Sequence, residues 1–239
     1  MMEQAGVMAA KIAKMRQAAE KRAGEIPSAQ TGATSRPAGM MSKYDMLEQH
    51  GIYRRFLNTT AENIDRRGVP DNVKRQWWSV RAFIATLHDH IRDGEGLILS
   101  GGVGTMKTTM AIAILRELVD TKGQGYFIPM ASLLDTINSM RERHDASLQA
   151  FEHKLRTTSL LVLDDLGAEY DHTWVQCKVD AIVNERYNRM RSTIVTTNLS
   201  AQDIRDRYQM RIFDRLRATN QLITFAGKSS VSLRKTADW

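Results

Sequence analysis

The chain from residue 96 onward alternates short apolar runs with longer segments of helical periodicity. The apolar runs predict four strands, LILS at 97–100, GYFIPM at 125–130, SLLVLDD at 159–165 and STIVTTN at 192–198. Helical spacing predicts helices over residues 107–121, 133–143, 146–155 and 174–190. Strands that alternate with helices of this length form a parallel sheet covered on both faces. The predicted fold class is therefore α/β, with ligands at the carboxyl ends of the strands.

A separate helix is predicted at the start of the chain. Residues 3–24 are rich in Ala, Lys, Gln, Glu and Arg, which favour helix. A narrow apolar seam recurs along it at helical spacing (Met8, Ile12, Met15 and Ala19). Such a helix is marginal in water unless its seam finds a partner. We interpret it as a docking helix for another protein, and the alternative is a frayed basic tail.

The rest of the N-terminal third divides into a linker and a connecting segment. Residues 25–42 are rich in Pro, Gly, Ser and Thr, which indicates a flexible linker. Residues 43–72 are predicted to be an irregular connector with a short helix near 44–50, and the linker is taken to extend over residues 25–50. A helix with a broad apolar face is predicted over 73–92. We therefore divide the chain into an N-terminal helix at 1–24, this linker, and a main domain at 51–239.

Composition places the chain among soluble globular proteins, because 42% of its 239 residues are hydrophobic and 26% are charged. No apolar run approaches the roughly 20 residues that span a bilayer, and Lys11, Lys14 and Arg16 interrupt any secretory signal. The single cysteine, Cys177, cannot form an internal disulfide and is interpreted as structural. These features predict a protein of the reducing cytoplasm with no membrane partner.

The formal net charge of +7 favours a polyanionic partner. Lys and Arg that neutralise phosphates release counterions, which drives association with nucleic acid. The alternative is a solvated basic surface with no dedicated ligand.

A glycine-rich loop follows the first predicted strand and opens a helix. This context turns a match to the G-x-x-x-x-G-K-S/T pattern into a nucleotide-binding prediction. Backbone N–H groups and the helix dipole would hold the phosphates. Lys107 would reach the β- and γ-phosphates, and the Thr108 hydroxyl would bind Mg²⁺. ATP and Mg²⁺ are the predicted cofactors, and a glycine turn before an ordinary helix is the alternative. The predicted binding residues are Gly101, Gly102, Val103, Gly104, Thr105, Met106, Lys107, Thr108 and Thr109.

The position before the lysine departs from this pattern, because Met106 stands where glycine is usual. If the backbone there requires a positive φ, a residue with a Cβ costs roughly 1–2 kcal/mol. Nucleotide binding would then weaken about 5- to 30-fold, since about 1.4 kcal/mol corresponds to tenfold. Such strain would tune the site without abolishing it.

Two adjacent carboxylates end the third predicted strand, LLVLDDLG at 160–167. Their position at a strand end places them beside the glycine-rich loop. Asp164 would hold the magnesium, and Asp165 would orient the water that attacks the γ-phosphate or accept its proton. Adjacent carboxylates on a buried strand repel each other unless a cation is present, so the pair favours metal–nucleotide chemistry over packing.

Polar and basic residues after the fourth strand complete the predicted site. Asn198 would hydrogen-bond the γ-phosphate or the attacking water, and the alternative is a cap on the following helix. Arg211 and Arg215 lie four apart in an arginine-rich stretch at 205–217 and would share a helix face. One of them would enter a neighbour's site as an arginine finger, and the alternative is a solvated basic face.

Taken in order, these segments resemble the DnaC/DnaI-type helicase loaders and their IstB-like relatives, which are AAA+ ATPases. The resemblance rests on GIYRRFLNTTAENID at 51–65, GGVGTMKTT, LLVLDDLG, STIVTTNLS and RIFDRL. It covers residue 51 to the C-terminus and leaves out the N-terminal helix and linker. It implies a three-layer AAA+ phosphate-loop NTPase core, in which Asn198 is the first nucleotide sensor and Arg215, with Arg211 nearby, acts on a neighbouring subunit.

The resemblance also implies residues that contact DNA and a second residue that senses the nucleotide. The helix at 131–144 corresponds to an element that lines a single-stranded DNA channel, so Arg141 and Arg143 are candidate phosphate contacts. Near the C-terminus, KSSVSLRK departs from the Ser-Tyr-Arg pattern of the family. Arg234 is the arginine nearest to the second-sensor position of that pattern.

The function that follows is that of an ATP-dependent helicase loader in DNA replication. In such loaders an N-terminal extension docks onto the hexameric replicative helicase, which the resemblance implies for residues 3–24. Single-stranded DNA and further copies of the chain, in a ring or spiral, are the other predicted partners. Three alternatives stay open: an IstB-like transposition ATPase on duplex DNA with a transposase, a small-molecule kinase, and a nucleotide-gated DNA-binding scaffold that hydrolyses poorly.

Overall fold

Five parallel strands form one sheet in the computed structural model, which describes residues 42–167 and 173–226. The predicted helix at 3–24, most of the predicted linker and Arg234 lie outside the described residues. The predicted α/β class with a parallel sheet is confirmed. The strands are β1 (Gly96–Gly101), β2 (Gly125–Pro129), β3 (Leu160–Leu166), β4 (Ser192–Thr197) and β5 (Asn220–Phe225), in the order β2-β3-β4-β1-β5.

Helices connect the strands and cover the sheet. Short 3₁₀ turns lie at Arg54–Phe56 and Asp71–Val73. Numbered from the first one described, the helices are α1 (Lys43–Glu48), α2 (Ala61–Arg67), α3 (Lys74–Ala85), α4 (Leu87–Asp93), α5 (Lys107–Asp120), α6 (Met130–Glu142), α7 (Leu148–Thr157), α8 (Thr173–Asn188) and α9 (Ala201–Thr219).

Alternating side chains along the strands divide the core into two parts. On β1, Leu97 and Leu99 pack with residues of α1 to α5, whereas Ile98 packs with residues of α6 to α9. This is the period of two that a strand buried on both faces shows. The result is a three-layer arrangement in which the carboxyl ends of the strands remain for the loops that carry the predicted site.

The helix predicted over 73–92 is in fact two helices, α3 and α4, because the backbone breaks at Thr86. Thr86 has φ −120° and ψ 28°, which lie outside the α-helical region. Its hydroxyl oxygen is 3.5 Å from the Ala82 carbonyl oxygen and 3.0 Å from His90 Nε2. Polar contacts of a β-branched residue therefore compete with the helical backbone, and the prediction of one continuous helix is wrong.

Strand β5 is absent from the sequence prediction. Only Asn220, Ile223 and Phe225 of its six residues are buried, and Leu222 is 46% exposed. This pattern is neither a continuous apolar run nor a strict alternation. Pairing decides the conformation, because β5 matches β1 along its whole length, from Gly96↔Asn220 onward.

The end of the predicted linker packs against the edge of the sheet. Helix α1 begins with a capping box, and its Leu47 is fully buried. The Phe127 N–H donates to the His50 carbonyl at 2.9 Å, which covers the outer edge of β2. Gly51 has φ 74°, and a Cβ there would lie 2.0 Å from the Phe127 carbonyl oxygen. Residues 42–50 are therefore packed structure rather than linker, and the other domain limits stay a prediction.

Candidate nucleotide site

The glycine-rich loop runs from the end of β1 into the first turn of α5. The Thr105 hydroxyl donates to the Gly102 carbonyl at 2.8 Å and closes the loop. Gly101 and Gly104 have φ of 152° and 78°, which glycine adopts without strain. Because α5 begins at Lys107, the positive end of its dipole lies at the loop. Of the other predicted binding residues, Val103 is exposed at the tip of the loop and Thr109 is half-buried in α5.

Met106 adopts the left-handed conformation at the start of α5, with φ 69° and ψ 11°. The positive φ on which the predicted strain depends is therefore present, at a cost of roughly 1–2 kcal/mol. The side chain also packs against the core that includes α1 to α5, and this apolar contact offsets part of the cost. The strain at Met106 therefore lowers the free energy of unfolding of the protein and does not act on nucleotide binding alone.

Substitutions of Met106 by glycine and by alanine should separate strain from packing. Both lose the side-chain contact, but only glycine also relieves the positive φ. We expect the free energy of unfolding of M106G to exceed that of M106A by about 1 kcal/mol, measured by urea denaturation. Equal stability of the two variants would show that the left-handed conformation carries no strain.

Lys107 lies in the centre of the site, and its side chain is buried. Its Nζ donates to the carbonyls of Gly101 and Gly102 at 2.7 and 2.8 Å and to Asn198 Oδ1 at 2.9 Å. Burial lowers the pKa of the Lys107 ammonium, and the carboxylates of the predicted acidic pair oppose this shift. A cation held among neutral oxygens at a helix N-terminus is suited to bind an anion such as a phosphate.

Asp164 is the buried member of the acidic pair. Its Oδ1 accepts hydrogen bonds from Thr108 Oγ1 at 2.8 Å and from Thr196 Oγ1 at 2.6 Å. Burial raises the pKa of the Asp164 carboxyl, the two hydroxyls lower it, Asp165 raises it and Lys107 lowers it. The predicted magnesium ligands, Thr108 and Asp164, are therefore in direct contact although they are 56 residues apart.

Asp165 differs from its neighbour because it is exposed and has a positive φ of 56°. A register shift between Leu163 and Leu166 marks a β-bulge on β3. The Asp165 N–H donates to Thr196 Oγ1 at 2.9 Å. Thr196 thus contacts both acids, and sequence reasoning missed it because a threonine inside an apolar strand carries no distinctive pattern.

Asn198 contacts Lys107 rather than capping the next helix. The cap of α9 is Ser200, whose side chain accepts the Asp203 N–H while the Asp203 carboxylate accepts the Ser200 N–H. The alternative of a helix-capping Asn198 is therefore excluded. Its side-chain oxygen lies at the carboxyl end of β4, beside the phosphate-loop lysine.

The two candidate arginines of α9 lie elsewhere, against α8. Arg211 and Arg215 share one helix face, as predicted, and both pair with Asp180 of the same chain, at 2.5 and 3.3 Å. They line a shallow cleft of about 550 Å³ with the exposed side chains of Tyr187 and Met210. A same-chain carboxylate therefore holds the pair in a defined position, and the role of these arginines stays a prediction.

The candidate DNA contacts and the cysteine are all exposed. Arg141 lies at the end of α6, with its guanidinium 5.3 Å from the centre of the Trp174 ring. Arg143 follows the helix and donates to Ser139 Oγ at 2.5 Å. Cys177 is exposed on α8, which departs from the structural role interpreted from sequence.

The residues of the site fit a magnesium–nucleotide complex. Mg²⁺ prefers hard oxygen ligands, such as a carboxylate and a hydroxyl. It usually takes only one or two ligands from the protein, and phosphate oxygens of the nucleotide supply others. Within the described ranges, no group of three or more His, Cys, Asp and Glu side chains could hold a metal alone. No helix in these same ranges is both long and apolar enough to cross a bilayer.

A parallel sheet of this order, with a phosphate loop after β1 and paired acids at the end of β3, defines an AAA+ phosphate-loop NTPase domain. The family described as IstB-like ATP binding protein matches residues 59–236, about three quarters of the chain. The chain belongs to this family.

Relatives and solved structures agree with this assignment. DnaC, the replicative helicase loader of Escherichia coli K12, is 24% identical over 205 residues, which cover 85% of this chain and 80% of DnaC. DnaI, the replicative helicase loader of Bacillus subtilis, is 27% identical over 116 residues, which cover 48% of this chain and 37% of DnaI. The resemblance to helicase loaders drawn from the motifs is confirmed.

Among solved structures, a DnaC helicase loader has a TM-score of 0.65 at 24% identity and covers 73% of this chain and 100% of its own. The replication initiator DnaA bound to AMPPCP and single-stranded DNA has a TM-score of 0.60 at 17% identity, over 71% of this chain and 50% of its own. At these identities the similarity concerns the fold.

Proposed function

We propose that this chain is an ATP-dependent loader of a replicative helicase. One observation carries the proposal: buried Lys107 and the contact between Thr108 and Asp164 bring the cationic and acidic halves of an ATP site together. Relatives that are named replicative helicase loaders and that cover most of this chain support the biological role.

The proposed mechanism assigns one task to each side chain of the site. The loop at 101–109 binds the triphosphate of ATP, with Lys107 on the β- and γ-phosphates. Thr108 and Asp164 hold Mg²⁺, which when bound neutralises charge on the phosphates. Asp165, exposed beside the bulge, orients the attacking water or accepts its proton. Asn198 hydrogen-bonds the γ-phosphate or that water.

Assembly completes the proposed site. Arg215, with Arg211 beside it, stabilises the transition-state charge in a neighbouring copy, within a ring or spiral of subunits. Asp180 supports this proposal because it fixes two guanidinium groups side by side at an exposed cleft. An arginine held in one geometry loses less conformational entropy when it engages a phosphate.

The remaining proposed partners are DNA and the helicase. Arg141 and Arg143 contact single-stranded DNA, in keeping with their exposure at the C-terminal end of α6 and just beyond it and with the net charge of +7. Residues 3–24 dock onto the hexameric helicase in the cytoplasm, a prediction from sequence alone.

Mixing the full chain with a DnaB-type hexameric helicase tests the proposal. We expect a complex that forms with ATP and Mg²⁺, and an ATP turnover that single-stranded DNA stimulates. K107M should lower turnover on the order of 100-fold, because removing one preorganised charge donor typically has that effect. Size-exclusion chromatography and phosphate release measure the two results. Absence of both the complex and turnover in the wild-type chain would contradict the proposal.

An IstB-like transposition ATPase is the second candidate, because the family that matches residues 59–236 is described as IstB-like ATP binding protein. Such a protein would bind duplex DNA as a filament and recruit a transposase. Filaments on duplex DNA, without binding to the helicase, would decide for this candidate.

A further inference from the structure

The hydroxyl of Thr196 forms hydrogen bonds with both acids of the site, with the backbone N–H of Asp165 and with the carboxylate of Asp164. Thr196 lies on β4, between β3 and β1, and is fully buried. We propose that Thr196 is a positioning residue that sets Asp164 for magnesium and holds Asp165 in its exposed conformation. The inference rests on the proposed ATPase function and adds to it a residue that acts through both carboxylates.

The β-bulge creates the need for this residue. Leu163 pairs with Val195, and the next registered pair is Leu166 with Thr197. Two residues of β3, the acids, therefore lie opposite the one residue of β4 between those pairs, which is Thr196. A bulge interrupts the ladder of backbone hydrogen bonds and leaves an extra residue without a regular partner.

A hydroxyl meets both demands of the bulge at once. Thr196 Oγ1 accepts the Asp165 N–H at 2.9 Å, a group that would be costly to leave unpaired beside a buried strand. The one hydrogen of the same hydroxyl goes to Asp164 Oδ1 at 2.6 Å. Accepting and donating together fix the hydroxyl rotor, and with it the backbone of one acid and the side chain of the other.

The same contact orients the buried carboxylate. The hydroxyls of Thr108 and Thr196 both donate to Oδ1 of Asp164, so neither of them engages Oδ2. An oxygen outside this pair is the one that a hard cation can approach without displacing a protein hydrogen bond. Outer-shell partners of this kind orient metal ligands.

The contact also accounts for the different environments of the two acids. Asp165 keeps φ 56°, a conformation that costs free energy for a residue with a Cβ and persists only when its surroundings impose it. Its N–H bond to Thr196 supplies that restraint. Without the restraint the bulge can relax, and both carboxylates would then change their positions relative to Lys107 and Thr108.

The test is to remove the hydroxyl of Thr196 while keeping the shape of its side chain. T196V keeps the β-branched shape, whereas T196S keeps the hydroxyl. T193V is the matched control, because Thr193 lies on the same strand at the end remote from the acids and accepts a bond from buried Arg186. It loses a buried hydrogen bond without touching the site.

Binding of a fluorescent ATP analogue, with Mg²⁺ and with EDTA, gives a readout that does not depend on turnover. The quantity of interest is the ratio of the analogue affinity with Mg²⁺ to the affinity with EDTA. We expect this ratio to be about 10- to 100-fold smaller in T196V than in wild type, the usual effect of an outer-shell substitution. Its affinity in EDTA should stay within about threefold of wild type, because the loop and Lys107 are unchanged. ATP turnover should fall in parallel, T196S should restore both quantities, and T193V should keep both.

The outcomes separate this inference from the proposed function. Wild-type protein with neither turnover nor a magnesium-dependent gain in affinity contradicts the proposed function itself. An active wild type with an equal gain in T196V overturns only the role of Thr196, as does a T196S variant as defective as T196V. If T196V does not fold, T196S and T196A provide the same comparison, since they differ only by the hydroxyl.

Discussion

D164N is expected to abolish ATP turnover while it raises the free energy of unfolding. Turnover should fall by at least about 100-fold, because even outer-shell partners of a metal change affinity or activity about 10- to 100-fold. Stability should rise by about 0.5–2 kcal/mol, the range common for a single stabilising substitution. Turnover assays and urea denaturation measure the two effects.

The opposite signs have one physical cause, the burial of a carboxylate. Burial raises the pKa of the Asp164 carboxyl, so the charged form is disfavoured in the folded state. Asparagine is neutral and close in size, and its Oδ1 still accepts the hydroxyls of Thr108 and Thr196. The fold therefore loses a desolvation penalty, and the site loses its anionic metal ligand.

The stability difference should depend on pH in a defined direction. The pKa of Asp164 is higher in the folded state than in the unfolded state. The wild type therefore avoids the cost of burying a charge only at low pH, where Asp164 is protonated in both states. As the pH rises from the unfolded value through the raised folded value, the wild type loses stability that D164N keeps. The advantage of D164N is thus expected at neutral pH and should vanish under acid conditions.

D165N is the matched control. Asp165 is exposed and sits at positive φ, a conformation that asparagine tolerates well. Its stability should stay within about 0.5 kcal/mol of wild type, while turnover falls. If D164N proves less stable than wild type at neutral pH, the carboxylate stabilises the fold and this account is wrong.

R186M is expected to lower the free energy of unfolding by about 3–5 kcal/mol, because each buried polar group left without a partner costs about 1–3 kcal/mol. Arg186 is fully buried on α8 and donates to the carbonyls of Leu155, Thr158 and Ser192 and to Thr193 Oγ1. It ties the end of α7 to the start of β4. The loss would be a large share of a typical stability of about 5–15 kcal/mol.

The acceptors around the Arg186 guanidinium are all neutral oxygens. Burial lowers the pKa of Arg186 to about 9, and the nearby charge of Arg191 contributes to this shift. The group therefore remains charged at neutral pH, and its hydrogen bonds to carbonyls are charge-assisted. Methionine fills much of the same volume but donates none of them.

R189M makes the same change three residues later, one residue beyond the end of the same helix. Arg189 is half exposed and pairs with Glu185 at i−4, so its loss should cost no more than about 0.5 kcal/mol. Urea denaturation of both variants gives the comparison. An R186M variant within about 1 kcal/mol of wild type would show that water or neighbouring groups satisfy the freed carbonyls.

The sequence predicted most of the candidate site because its motifs are local. A loop between a strand and a helix places Lys107 and Thr108 at a helix N-terminus whatever surrounds them. Two acids after an apolar run must lie at the end of a strand, and parallel strands present those ends together. The contact between Thr108 and Asp164 therefore follows from local patterns and one topological rule.

Other features depend on register and on distant neighbours. The role of Thr196 arises from a bulge on another strand, and its two acidic partners are 31 and 32 residues away in sequence. The pairing of Arg211 with Asp180 depends on how α9 packs on α8. The break at Thr86 and the strand β5 are likewise set by contacts rather than by apolar periodicity.

The sequence by itself determined the fold class, the phosphate loop and the acidic pair, because each is encoded within a few residues by spacing and side-chain type. Only the tertiary structure decided which acid is buried, which threonine contacts both acids, and where the arginines are held. These depend on strand register and helix packing, which bring together groups that no local pattern relates.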